Sequence, residues 1–345
     1  MKPPKTILVV ATRRIGDVLL ATPLIRSLKM AWPGAAIDAL VFEETAGILE
    51  GNPDVRHVLT VPQRPKIGAH LGFLSRLWNK YDLALSAMPG DRPTLYAFFA
   101  GKTRAGIVIE GTGQGWKKWL LDKWTPFEAE SHAVLAYLEL AKLLGLESSH
   151  EVVTPWREET VPSDPYAVLH VYPMYAYKMW KRQAWVELAR WLDDRGLRIV
   201  LTGGKDAQEQ ACIRELLPVL PEGTLDLSGK LSLGGVACLL SHASVYVGPD
   251  TAVTHMAAAR GIPTLALFGP SNPVKWGPWP KGFSENPYRM KGTQHAGNVV
   301  LLQGKGDCVP CLEEGCDRHV GSTSACLQNL PASEAIGALE TLIGK

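Results

Sequence analysis

The 345-residue chain lacks any apolar run long enough to cross a membrane as a helix. Its longest, Ile7 to Ala11 and Pro263 to Phe268, are strand-length, far short of the ~20 residues a span requires. Met1-Lys2-Pro3-Pro4-Lys5 leads into a strand and has neither the apolar core nor the cleavage site of a secretory leader, so a cytoplasmic location is expected. An excess of charge of one sign is also missing. Thirty-six Lys and Arg stand against 34 Asp and Glu, a net charge of +2, and nucleic acid is therefore not an expected partner. No short-period repeat and no low-complexity tract occurs, which leaves an ordinary globular chain. Cysteine is scarce outside one cluster: Cys212 and Cys238 lie in apolar helical contexts and read as buried thiols.

At this length two domains of roughly 150 to 170 residues are expected rather than one core. Thr6 to Ala11 reads as a buried strand, Val18 to Ala31 as a helix stopped by Trp32-Pro33-Gly34, and Ala36 to Phe42 as a second strand. This βαβ opening continues more loosely through strands at Asp82 to Ala87 and Arg104 to Ile109 and a helix from His132 to Leu144. A polar, Pro-containing stretch from Thr154 to Pro165 reads as an interdomain linker. The rhythm then restarts with strands at Tyr166 to Val171, Arg198 to Thr202 and Leu225 to Leu227, alternating with helices at Gln183 to Arg195, Ala207 to Leu217 and Leu233 to Ser241. The expected fold class is α/β, two doubly wound Rossmann-like domains facing a central cleft, with domains at 1–160 and 166–330. A last helix in 331–345, from Ser333 to Ile343, is expected to pack back on the first domain.

The most informative segment is Val245 to Pro270, two buried strands flanking a short helix, with Asp250, Thr251, Thr254 and His255 where the first strand ends. In doubly wound sheets ligands bind beyond the carboxyl ends of the strands, where helix N-termini present free N–H groups to anionic oxygen. A nucleotide-sugar diphosphate suits such a place. Asp250 or Thr251 also fits as a helix N-cap, and His255 as an imidazole satisfied by a backbone carbonyl. Gly261 followed by Ile262-Pro263 is a helix stop. At the end of the first strand, Gly16 and Asp17 open the next helix. Asp17 reads equally as an N-cap and as a general base for an acceptor hydroxyl. Lys178, after the strand ending at Val171, can neutralise a diphosphate as a point charge, or can be simply solvated. Gly203-Gly204 marks a tight turn before Lys205-Asp206-Ala207-Gln208-Glu209.

In this order and spacing the segments carry a resemblance over nearly the whole chain. They run from Arg14-Ile15-Gly16-Asp17-Val18-Leu19-Leu20-Ala21-Thr22-Pro23, through Tyr177-Lys178-Met179-Trp180, Leu201-Thr202-Gly203-Gly204 and Ser228-Gly229-Lys230-Leu231-Ser232-Leu233, to Asp250-Thr251-Ala252-Val253-Thr254-His255 and Phe268-Gly269-Pro270. The chain resembles the bacterial lipopolysaccharide-core heptosyltransferases, which are similar to other two-domain GT-B glycosyltransferases. The resemblance implies inverting transfer of L-glycero-D-manno-heptose from an ADP-sugar to the lipopolysaccharide inner core, with no catalytic metal and ADP-heptose as donor substrate. By it Asp17 is the general base, Lys178 the diphosphate partner, Asp250 the holder of heptose hydroxyls and Thr251 a phosphate contact within the donor set that includes Thr254 and His255. Gln208 or Glu209 falls at the acidic ribose contact, and the Ser228 to Leu233 loop borders the adenine. Three departures re-shape the expected nucleotide pocket: Ala252 in place of a usual Gly, Tyr172-Pro173 in place of a small or hydroxyl-bearing pair, and Lys181 in place of a common Pro. Transfer to protein Ser or Thr hydroxyls, or a non-catalytic sugar-nucleotide or glycan-binding module of the same fold, are the competing readings.

The first 150 residues carry 18 basic against 14 acidic side chains and the remainder 18 against 20, so an acidic acceptor is expected on the amino-terminal side. Arg64, Lys66, Arg104, Lys117 and Lys118 are the expected acceptor contacts, with Arg92 and Lys102 nearby in sequence, against a background of ordinary surface cations. An acidic, phosphorylated, lipid-linked sugar core matches them. The run from Gly115 to Trp124 interleaves Trp and Lys as an interfacial helix does, which adds contact with the cytoplasmic face of the inner membrane as an expectation beside ordinary core packing. Cys308, Cys311, Cys316 and Cys326 fall within 19 residues. Two readings stand for them, thiolate ligation of a structural Zn or Fe, and free thiols.

Overall fold

The computed structural model describes residues 2–64, 67–111, 113 and 115–344. It divides into two compact units, Met1–Pro155 and Trp156–Lys345, and the polar stretch expected as a linker contains the boundary.

The first unit is built on six parallel strands, β1 (Thr6–Val10), β2 (Ala36–Phe42), β3 (His57–Val61), β4 (Tyr81–Ser86), β5 (Gly101–Val108) and β6 (Lys123–Pro126). Their order is β3-β2-β1-β4-β5-β6. The inner strands are nearly continuous apolar runs such as Ile-Leu-Val-Val because both faces of a parallel sheet are covered. Ile7, Leu8, Val9 and Val10 are fully buried. The chain leaves β1 in one direction and resumes at β4 on its other side, so the two strands frame a topological switch point.

The second unit has seven strands, β7 (Tyr166–His170), β8 (Arg198–Thr202), β9 (Leu225–Asp226), β10 (Val245–Pro249), β11 (Thr264–Phe268), β12 (Gln294–Ala296) and β13 (Val299–Gln303). Their order is β12-β13-β11-β10-β7-β8-β9, all parallel except the β12–β13 pair. Its switch point lies between β7 and β10. A large core packs Leu169, Trp180, Trp185, Leu201, Val247 and Leu267 together.

Two expectations change here. The single helix expected over Val18 to Ala31 is two, Ile15–Leu20 and Thr22–Ala31. Pro23 has no N–H to give to the Leu19 carbonyl, four residues back. The Thr22 hydroxyl donates to that carbonyl instead, at 2.7 Å. The carboxy-terminal helix, Ala332–Ile343, does not use its apolar face as expected. Ala335, Ala338 and Leu339 join the core of the second unit with Trp185 and Leu188, since that sheet face would otherwise expose them. Strands β3, β6, β12 and β13 and the helices Ile67–Leu77 and Asp91–Ala100 have no counterpart in the sequence reading. The half-exposed β6, Lys-Trp-Thr-Pro, shows why: an edge strand ending in Pro carries no alternation to read. Among the described residues no helix is long and apolar enough to cross a membrane.

Candidate active site

In the first unit the loop leaving β1 presents Asp17 at the carboxyl edge of the sheet, beside the switch point. Asp17 lies in the first turn of Ile15–Leu20, but the N-cap is Arg14, so the capping account of Asp17 is not realised. Its carboxylate is only 6% exposed and accepts a 3.0 Å hydrogen bond from the Tyr137 hydroxyl. The Arg13 guanidinium lies 3.7 Å away. Burial, and then the Asp17 charge, push the Tyr137 phenol well above its ordinary range, so it remains a donor to the carboxylate. Tyr137 was not singled out in the sequence. It sits in Ala133–Leu143 among Ala, Leu and Val, and the need of a buried phenol for a partner is the one signal it carries.

In the second unit the two switch-point strands deliver opposite charges to one point. The chain leaves β7 through a single turn, Ala176–Lys178, and leaves β10 at Asp250. Lys178 Nζ lies 2.5 Å from Asp250 Oδ2 and 3.2 Å from the Asp250 carbonyl oxygen. Burial pushes the Asp250 carboxyl up, but the Lys178 charge and hydrogen bonds from Lys178 and Ser271 outweigh it and hold the group below the usual aspartate range. The Asp250 side of the pair is thus a carboxylate. Thr251 is the N-cap of Ala252–Arg260, yet no side chain caps that helix. Its hydroxyl is 3.3 Å from the Thr254 hydroxyl instead. The first-turn N–H groups therefore lack a side-chain partner, which is what an oxyanion requires. Ala252 is the first helical residue, a conformation that needs no glycine. Gly261, at φ 83°, closes the helix in the left-handed conformation that glycine takes at no steric cost.

Thr254 is fully buried and is consumed within the protein: its hydroxyl donates to the Pro249 carbonyl and meets the Tyr246 hydroxyl at 2.9 Å. It therefore holds the turn rather than facing a ligand. His255 is 4% exposed. Burial lowers its pKa to about 4, with Asp250 opposing and Lys178 reinforcing, so the ring is neutral at neutral pH. Its Nε2 is 3.9 Å from Asp250 Oδ1, while Nδ1 is buried with no hydrogen-bond partner. The expected backbone carbonyl partner is not there.

Gln208 and Glu209 stand differently in the structure. Asp206 caps their helix, accepting from both backbone N–H groups. Gln208 is exposed, whereas Glu209 is buried and turned against the end of β8. A Cβ on Gly203 would lie 2.6 Å from Glu209 Oε1, and one on Gly204 2.9 Å from Oε2. Those glycines serve close approach, and Glu209 is the carboxylate at the sheet edge. Burial raises its pKa above the usual value despite a hydrogen bond from the Gly204 backbone. Across the Gly203 backbone, the Ser228 hydroxyl is buried without a partner.

The basic residues expected to meet the acceptor do not form one cluster. Arg104 donates from Nε to the Gly101 carbonyl at the start of β5 and stacks on Phe98. Its guanidinium thus points to the amino end of the sheet, away from the Asp17 edge. Lys102 likewise pairs with Asp82 at 3.0 Å. Lys117 is 2% exposed and bonded to Asp91 at 2.6 Å, and Lys118 pairs with Glu110 at 2.8 Å over the Trp124 ring. Arg92 donates to the Gln63 carbonyl. Arg64 is exposed, and Lys66 lies outside the described residues. On the short helix Trp116–Leu120, Trp119 is 90% exposed.

Among the described residues no group of three or more His, Cys, Asp or Glu side chains is placed to hold a metal ion, and all six thiols are free. Cys326 packs against the second core beside Gly269 and Gly304. Burial, with the other three thiols nearby adding to it, pushes its pKa to about 11.

Known proteins resemble the chain along most of its length. The chain is 27% identical over 304 residues to lipopolysaccharide heptosyltransferase 3 of Escherichia coli K12, covering 81% of this chain and 88% of that protein. It is 29% identical over 332 residues to lipopolysaccharide heptosyltransferase 1 of Pseudomonas aeruginosa, covering 90% and 87%. The fold is similar to that of the solved E. coli heptosyltransferase WaaC with ADP, at a TM-score of 0.74 and 23% identity, over 98% of this chain and 99% of that one. Its two sheets match the GT-B architecture of such enzymes. The sequence profile of glycosyltransferase family 9 (heptosyltransferase) matches residues 77–286, and the chain belongs to that family.

Proposed function

We propose that the protein is an inverting, metal-independent heptosyltransferase that moves heptose from ADP-L-glycero-D-manno-heptose to the inner core of lipopolysaccharide. The observation that carries this reading is the Lys178–Asp250 pair, 2.5 Å apart where the two switch-point strands end, beside a helix N-terminus with no side-chain cap. It offers a cation and N–H groups to a diphosphate and a carboxylate to sugar hydroxyls. That a fold relative is solved with ADP supports the nucleotide. Glu209 takes the ribose hydroxyls, since a buried carboxylate at the β8 edge has the right acceptors.

In the reaction an Asp17 oxygen takes the proton from the acceptor hydroxyl as that oxygen bonds to the anomeric carbon. The bond from that carbon to the ADP oxygen breaks on the opposite face, so configuration inverts. ADP leaves with its new negative charge met by Lys178 and the helix N–H groups. Tyr137, by donating to one Asp17 oxygen, orients the carboxylate. The acceptor is an acidic, lipid-linked core, met on the first unit by exposed cations such as Arg64. The enzyme works in the cytoplasm at the periphery of the inner membrane, with Trp119 among the groups that reach the headgroups.

The deciding experiment measures transfer from ADP-heptose to purified inner-core acceptor, alongside ADP binding by calorimetry. Asp17→Ala is expected to reduce kcat by at least ~10²- to 10⁴-fold, the usual contribution of a general base, while ADP affinity stays within about twofold. Full turnover by that variant overturns the base assignment. A donor screen that prefers UDP- or GDP-sugars overturns the donor and leaves the fold untouched.

A further inference from the structure

The cysteine-bearing segment between β13 and the last helix has no role in the reaction as written, yet its hydrogen bonds converge on the turn that carries Lys178. The Ala176 N–H donates to the Val320 carbonyl at 3.2 Å. The Gln328 side-chain amide donates to the Met179 carbonyl at 2.8 Å. The Trp180 indole donates to the Leu330 carbonyl at 2.8 Å. Lys178 is therefore bracketed on both sides by residues whose polar groups are tied to one segment. That segment also reaches the loop after β11, where the Leu312 N–H donates to the Pro270 carbonyl at 3.0 Å, next to Ser271, a hydrogen-bond donor to Asp250. Both members of the Lys178–Asp250 pair are thus approached from the same piece of chain.

The turn itself offers little to hold Lys178 in place. It is one turn of 3-10 helix with no side-chain cap, and Met174 just before it is 80% exposed. A short turn without a cap does not define the position of a long lysine side chain, whose ordering carries a large entropy cost. The Asp250 carboxylate and carbonyl hold Nζ at the far end, and the bonds from residues 320, 328 and 330 fix the backbone of the turn from which the side chain starts. Among them only Gln328 acts through a side-chain amide that a substitution can remove without touching the core. It is half-buried at the end of the short helix Ala325–Gln328. Packing of Cys326 and Leu327 against Gly269 anchors that helix.

We propose that Gln328 is a positioning residue for Lys178, and that the segment from Val320 to Leu330 is a brace that sets the diphosphate side of the donor site. The proposal rests on the reading of Lys178 as the diphosphate partner. Gln328 touches no substrate and acts only through the Met179 carbonyl and the turn.

The test is a double-mutant cycle on ADP affinity, measured by calorimetry on the full chain with Gln328→Glu, Lys178→Ala and the combination. Glu keeps the size of Gln and cannot donate. Gln328→Glu is expected to weaken ADP about fivefold, the worth of one neutral hydrogen bond, and to leave KM for the acceptor unchanged. In the Lys178→Ala background the same substitution is expected to have no further effect, since residues that act as a unit are not additive. Gln328→Met, which adds no charge, is expected to repeat the result. Additive losses, or a fall in thermal stability with unchanged ADP affinity, overturn the positioning role and leave Lys178 as the diphosphate partner. Unchanged ADP affinity in Lys178→Ala alone overturns the reading of Lys178 itself, and the inference with it.

Discussion

His170 and His255 are single residues whose chemistry is set by where the fold puts them. His170 ends β7, 8% exposed, with Nδ1 3.3 Å from the Thr202 hydroxyl; burial lowers its pKa to about 4, as it does for His255. In the unfolded chain each ring takes its proton near the ordinary 6.5. Between about 6.5 and 4 the unfolded state therefore binds more protons, and stability rises with pH across that window and levels off above it. Each buried ring contributes up to about 3 kcal/mol to this slope. Glu209, raised by burial, has the opposite sign, because it is protonated in the fold at a pH where the unfolded chain has ionised. The expected result is a Tm that falls steadily as pH drops from 6.5 to 4, and a shallower fall in His170→Gln. Identical slopes for the two proteins would remove His170 as a cause. His255 was read in the sequence as part of a polar cluster, and that placement holds. Its neutral state follows from burial beside Lys178, which no local pattern encodes.

Among the elements, the paired helices Ile15–Leu20 and Thr22–Ala31 show a local sequence rule deciding architecture. Pro23 was visible all along, two residues from the point where the helix breaks, and the helical pattern of the flanking apolar residues masked its effect. What could not be read is the tertiary use of the break. The Thr22 hydroxyl, fully buried, donates to Leu19 and also accepts from the Val153 N–H at 2.9 Å. The Ser27 hydroxyl does the same between Pro23 and the Ser149 N–H, at 2.7 and 2.9 Å. Two hydroxyls thus tie residues 149–153 to the helix that follows the Asp17 turn. Thr22→Val keeps the shape and removes both bonds, leaving a buried carbonyl and a buried N–H unpaired. A loss of about 2 to 4 kcal/mol in urea unfolding is expected, with ADP affinity unaffected. A change under 0.5 kcal/mol would mean that the two backbone groups find other partners.

For the whole molecule, the division into two units, each with its own parallel sheet and switch point, separates the proposed chemistry: the base on one sheet edge and the donor groups on the other. Amide hydrogen exchange with and without ADP reads this division directly. Saturating ADP is expected to slow exchange in 176–180, 203–209 and 250–255, all at the carboxyl edge of the second sheet, and to stabilise that unit by about 2.7 kcal/mol at a hundredfold excess over Kd. Protection confined to 11–17 would place the nucleotide on the first unit and reverse the assignment of donor and acceptor.

The alternation of apolar runs with amphipathic segments was enough to read two doubly wound domains, because parallel strands buried on both faces announce themselves locally. Asp17, Lys178 and Asp250 were legible as polar residues shortly after β1, β7 and β10, while their expected roles came from the family resemblance. The remainder depended on partners distant along the chain. Lys178 and Asp250 are 72 residues apart, Asp17 and Tyr137 are 120 apart, and Gln328 is 149 residues from Met179. The acceptor-side lysines illustrate the same limit in reverse: the sequence shows Lys117 and Lys118 as free cations, and folding gives each a carboxylate. The sequence by itself determined most strands of both sheets and the residue types available at their ends, because those follow from short-range sterics and burial pattern, whereas β3, β6, β12 and β13 were not read from it. Tertiary structure alone decided which charges are paired, which hydroxyls are consumed and which carboxylates are buried beside a partner, because the energy of a buried polar group is set by the atoms packed around it.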